Sequence, residues 1–107
     1  MTRGEVLAWL QSRQPAPPPA LASKLADCVA SAPEAALAGD SVADAVGRLG
    51  VETLRTVVAR QGVAYDAAMD LLAADAFVTY AFEAAAEGGG DLGGLAGRLL
   101  AAVGGSA

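Results

Sequence analysis

Asp75 is the residue of this chain best placed to do chemistry. It falls at the edge of a helical face carrying Leu71, Val78 and Phe82, with Thr79 one turn further on and Tyr80 next to that. A carboxylate buried there needs a partner or a raised pKa. Asp75, Thr79, Tyr80 and Tyr65 are therefore the candidate ligand- or partner-contact residues, expected to line an interior pocket. The structural alternative is that Asp75 reaches solvent, or pairs with Arg48, Arg55 or Arg60 on the preceding helix.

The other carboxylates point to a surface. Between Arg60 and Arg98 lie Asp66, Asp70, Asp75, Glu83, Glu87 and Asp91, with no basic residue among them. Such a run can bind a divalent cation or dock a basic partner. Asp66 and Asp70 sit near a helix start, where the dipole favours negative charge; Glu83 and Glu87 sit near its end, where it does not. The second pair therefore calls for a cation, from Arg98 or from another protein. The two pairs lie about 100° apart around the axis and do not form one site. EF-hand spacing is missing as well. A solvated acidic surface is the expectation, and no metal site is assigned.

Several chemistries are excluded outright. The chain has no histidine and one cysteine, Cys28. That removes Ser-His and Cys-His nucleophile pairs, histidine or thiolate zinc sites, CxxC redox motifs and any intrachain disulfide. Gly88-x-Gly90-x-x-Gly93 has the letters of a dinucleotide fingerprint. It follows a helix rather than a strand, and Asp91 would repel phosphate, so a helix–helix turn explains it and no cofactor is assigned. No catalytic constellation remains, and the chain is expected not to be an enzyme.

The elements that must position these residues read as helices. Thr2 and Glu5 have capping-box spacing, opening a helix expected over 1–14. Pro15, Pro17, Pro18 and Pro19 end it and form a stiff connector over 15–19. A second helix starts at Pro18 or Pro19 and runs to about Ala32, with Leu21, Leu25, Cys28 and Val29 on one stripe. Pro33 opens a short turn through Leu37, with Gly39 as its stop. Ser41 and Asp44 repeat the capping signature. The helix they open carries Asp44–Arg48 and Arg48–Glu52 at i,i+4. Gly47 and Gly50 weaken its middle, leaving open one helix or two, and Gly62 closes the unit. Asp91 caps a last helix with Leu92, Leu95, Leu99 and Val103 on one side, and residues 104–107 are expected to fray.

Residues 63–87 form the centre of this arrangement. At 100° per residue, Met69, Leu72 and Tyr80 share one side, Leu71, Val78 and Phe82 a second, and Phe77 points to a third. A helix apolar on nearly every side is enclosed by other helices or by lipid. Asp75 and Glu83 interrupt it, and no stretch reaches the ~18 apolar residues of a membrane span. No strand pattern or signal peptide is recognised. The expected fold is all-α, a single domain of about five helices packed as a small bundle around 63–87, with 20–103 as its body.

Composition narrows the function classes. The 107 residues are 54% hydrophobic, with net charge −5. Acidic balance argues against general nucleic-acid binding. The lone thiol fits a cytoplasmic protein. Six arginines against one lysine, with abundant Ala, Gly and Pro, suggest a GC-rich bacterial genome.

The segment Ser41-Val42-Ala43-Asp44-Ala45-Val46-Gly47-Arg48-Leu49-Gly50-Val51-Glu52-Thr53-Leu54-Arg55-Thr56-Val57-Val58 resembles, without gaps, part of an HDOD domain. There a capped helix with an Ala-hydrophobic pair leads into Leu-Gly-hydrophobic, then Leu-Arg and an apolar run. The resemblance implies an all-helical, non-catalytic relative of HD phosphohydrolases, used for signalling and interaction. The same stretch is similar to a helix-turn-helix with its turn at Gly50 and Thr53, Arg55, Thr56 and Arg60 beyond it. The leading expectation is a non-catalytic interaction or regulatory module that binds a protein partner or itself. A bundle binding a small apolar ligand comes second, and a DNA-binding helix-turn-helix third.

Overall fold

Two of the helices begin where a side chain satisfies an early amide group. At the N-terminus, Thr2 Oγ1 accepts from the Glu5 amide at 3.1 Å, and the Thr2 amide donates to Glu5 Oε1 at 3.1 Å. This closes the capping box of α1, Arg3–Gln11. The helix ends at Gln11, short of residue 14, with Ser12 as its C-cap and the Ser12 hydroxyl donating to the Trp9 carbonyl at 2.6 Å. Pro19 occupies the first position of α2, Pro19–Ser31, where its missing N–H costs nothing. The short α3, Glu34–Leu37, buries Ala36 and Leu37. Ser41 Oγ accepts from the Asp44 amide at 3.1 Å and so opens α4, Val42–Ala59. Then follow α5, Ala64–Glu87, and α6, Leu92–Gly104.

The computed structural model describes residues 1–37, 41–59 and 64–104, with backbone only for 64–66. The expected stops at Gly39 and Gly62, the start at Val63 and the tail at 105–107 lie outside the described residues. Gly104, assigned to that tail, is the last residue of α6. Within the described residues the fold is all-α, with α5 central. Its shortest dimension, 22 Å, corresponds to two helix layers.

α4 and α5 form the core pair, and small residues bring them together. α5 buries Ala73, Ala74, Phe77, Ala81 and Ala85. These fall at i, i+1, i+4, i+8 and i+12, one helical stripe. Facing them, α4 runs unbroken through Gly47 and Gly50. A Cβ on Gly50 would lie 2.9 Å from Val78 Cγ2, 3.2 Å from Phe77 Cβ and 3.3 Å from the Ala74 carbonyl oxygen. The glycines that weaken α4 as an isolated helix are what let α5 approach it. Because the helix does not break at Gly50, the turn required by the helix-turn-helix reading is not there. Thr53, offered as a recognition residue, is buried with its hydroxyl on the Leu49 carbonyl at 2.8 Å.

The glycine run after α5 ends a helix. Gly89 has φ +69°, the Gly90 amide donates to the Ala85 carbonyl at 2.8 Å, and the Gly89 amide to Ala86 at 3.2 Å. That is the Schellman pattern, with glycine in the left-handed position. α6 then buries Leu95 and Leu99, whereas Leu92 and Val103, expected on the same stripe, stay largely exposed. The stripe is longer than the body it packs on.

Candidate interaction groove

Enclosure of α5 is incomplete. Its Phe77 side is covered, but Leu71 is 51% exposed. On that open side α4, α5 and α6 border a groove of about 460 Å³. Gly50, Val51 and Leu54 form one wall, Leu71, Ala74, Val78 and Phe82 the second, and Ala96, Leu99, Leu100 and Val103 the third. Among the described residues Asp75 is the one polar residue at its border. Leu100, on the rim, is 72% exposed. The apolar circumference read from the sequence is therefore real, but one part of it faces a groove instead of another helix.

The three candidate residues whose side chains are described, Asp75, Thr79 and Tyr80, are not gathered into one interior pocket. Asp75 is exposed and lines the groove, and Thr79 is exposed. Tyr80 is on another side of α5, where its ring meets Trp9 edge-on at 6.2 Å. The Tyr65 side chain lies outside the described residues. The carboxylate inside the bundle is Asp70, 4% exposed and 2.5 Å from Lys24 Nζ. The acidic run predicts a solvated position for Asp70, and the structure buries it instead. It precedes Ala73, Ala74 and Phe77 by three, four and seven residues, so the small-residue stripe already contained it.

Arginines tie the helix ends together across long sequence separations. No described helix carries a basic residue in its own last turn. Arg3 instead donates to the Val29 and Ala32 carbonyls, the latter at 2.8 Å, at the end of α2. Arg55 donates to the Ala102 carbonyl near the end of α6. At the end of α5, Arg13 reaches Glu87 at 2.6 Å and Glu83 at 3.2 Å, stacked 3.8 Å from the Trp9 ring centroid. The cation that the Glu83–Glu87 pair called for is thus Arg13 and not Arg98. Its hydrogen bond to Glu87 holds the guanidinium even more firmly protonated than usual. Arg98 pairs with Asp44 at 3.0 Å and Arg55 with Glu52 at 3.2 Å, so neither carboxylate takes Arg48 as the i,i+4 spacing suggested. Arg48 lines a second cleft, between α3, α4 and α6, together with these two pairs.

The remaining chemistry is quiet. Cys28 is half-buried, and loss of hydration pushes its thiol pKa up, which suppresses the reactive thiolate. Among the described residues no three His, Cys, Asp or Glu side chains are grouped to hold a metal ion. Nor is any described helix long and apolar enough to cross a membrane. The fold and groove thus define a small helical bundle with one open apolar face. Comparison of the chain with protein-family models, with curated proteins and with solved structures finds no match.

Proposed function

We propose that this chain is a non-catalytic interaction module that works through protein–protein contacts made at the α4–α5–α6 groove. The observation that carries the reading is the concentration of exposed Leu71, Leu100 and Val103 around one apolar groove. Contiguous apolar surface of this kind, bordered by polar residues, marks interaction sites on small proteins. The likeness of residues 41–58 to an HDOD segment supports a signalling or regulatory setting. Its expected surroundings are the cytoplasm of a bacterium.

The test is a double substitution, Leu71→Lys with Leu100→Glu. Both side chains are more than half exposed, so helix content and melting temperature should hold while association is lost. The reading fails if the unaltered chain runs as a clean monomer at every concentration and takes up no specific partner. The groove's volume also falls within the range of small-molecule sites. A panel of apolar ligands that raises the melting temperature, with no protein partner found, would favour the ligand-binding alternative.

A further inference from the structure

We propose that the cleft between α3, α4 and α6 binds a small organic monocarboxylate, held by the guanidinium groups of Arg48 and Arg98. Leu99 divides this cleft from the groove, with Arg98 and Ala102 on one side and Leu100 and Val103 on the other. Arg48 stands four residues from both Asp44 and Glu52, the spacing at which helical ion pairs form. It pairs with neither, because both carboxylates are taken. Asp44 Oδ2 accepts from the Ser41 hydroxyl at 3.2 Å, and Oδ1 from Arg98 Nε at 3.0 Å. Glu52 takes one terminal nitrogen of Arg55, whose other donates to the Ala102 carbonyl. Among the described residues Arg48 is thus left exposed at the cleft with its donor fork open. Arg98 adds two more donors, since among the described residues it hydrogen-bonds through Nε alone.

Charge and shape select the ligand. Among the described residues, Arg48, Arg55 and Arg98 border the cleft against Asp44 and Glu52, which leaves one positive charge to balance. One carboxylate balances it, whereas a phosphate dianion would bring surplus negative charge beside Asp44 and Glu52. The planar guanidinium fork also matches a carboxylate through two parallel hydrogen bonds. Pro33 and the buried Ala36, Val51 and Leu99 supply an apolar lining. The cleft holds about 700 Å³, within the range of small-molecule sites. An acid with an apolar body uses both parts of it, and a bare inorganic anion would use only the arginines.

Calorimetric titration of the full chain with phenylacetate and with octanoate tests the site, against phenylacetamide, octanol and phenyl phosphate. At least one acid should bind saturably, and about tenfold more tightly than its neutral counterpart, as expected for a charged hydrogen bond. Arg48→Gln should weaken that acid about tenfold on the same grounds, and Arg48→Lys should recover little, because an ammonium lacks the fork. Both variants should keep the melting temperature of the unaltered chain, since Arg48 has no ion pair among the described residues to lose. Leu100→Glu, which alters the groove alone, should leave acid binding as it was. The proposal is overturned if neither acid saturates, if the neutral counterparts bind as tightly, or if phenyl phosphate binds better than the acids. It is also overturned if Leu100→Glu rather than Arg48→Gln abolishes binding, which would put the acid in the groove. The protein-contact reading of the groove stands or falls separately from each of these outcomes.

Discussion

Substituting alanine for Gly50 and for Gly97 should move stability in opposite directions. Both glycines are inside helices, where alanine is favoured by about 1 kcal/mol. Around Gly97 nothing lies within 4 Å of a new Cβ, so Gly97→Ala should realise most of that gain. At Gly50 the new methyl meets Val78 Cγ2 at 2.9 Å, which can rotate away. It also meets Phe77 Cβ at 3.2 Å and the Ala74 carbonyl oxygen at 3.3 Å, which belong to the body of α5. Those atoms recede only if the helix pair separates, and overpacking of this kind costs about 2 kcal/mol. The net expectation is a loss of about 1 kcal/mol, or roughly 4–8 °C in melting temperature for a domain this size. Gly47→Ala should fall between the two, because its closest contact, Leu99 Cδ2 at 2.7 Å, is the end of a flexible side chain. Thermal unfolding followed by circular dichroism at 222 nm, with urea midpoints as a cross-check, gives the order. If Gly50→Ala raises the melting temperature as much as Gly97→Ala, the close α4–α5 approach is wrong.

Three other perturbations probe separate parts of the structure. Lys24→Met leaves the buried Asp70 short of its cation and should cost about 3 kcal/mol in urea denaturation. Lys24→Met with Asp70→Leu should recover much of the loss. Arg13→Ala removes two partly exposed ion pairs and a cation–π stack, for about 1.5 kcal/mol by thermal unfolding. Arg13→Lys should rescue little of it, since an ammonium does not reproduce the fork and the stack. Because the folded Cys28 thiol has the higher pKa, the unfolded chain ionises first. Cys28 should therefore lose stability as pH rises from the free-thiol value of about 8.5 towards the folded one, a decline that Cys28→Ala should flatten.

What the sequence reveals about this fold is mostly local. Thr2 with Glu5 and Ser41 with Asp44 mark helix starts through contacts three residues apart, and both caps form as their spacing implies. Proline and glycine punctuation places the connector and the end of α5. The buried face of α5 is harder to read, because alanine carries a weak hydrophobic signal and leucines at 71 and 72 a strong one. Apart from Phe77 the residues inside are small, because Gly47 and Gly50 admit a shallow surface, while Leu71, Val78 and Phe82 border the groove. Asp70 shares that stripe and was legible from its spacing to Phe77. Arg13 with Glu87, or Arg98 with Asp44, depends on how distant helices come together, and no local pattern announces it. The groove itself belongs to three helices at once. Of the candidate contact residues, Asp75 lines it and Thr79 and Tyr80 do not, while the Tyr65 side chain lies outside the described residues.

The most direct test of the groove's role is photo-crosslinking in the cells that make the protein. A photoreactive residue would replace Leu71 or Leu100 in the groove, and Ala8 or Ser23 elsewhere on the surface. The account predicts a discrete protein adduct from the two groove positions and none from the controls. Adducts that are absent from the groove, or equally strong from all four positions, would contradict it.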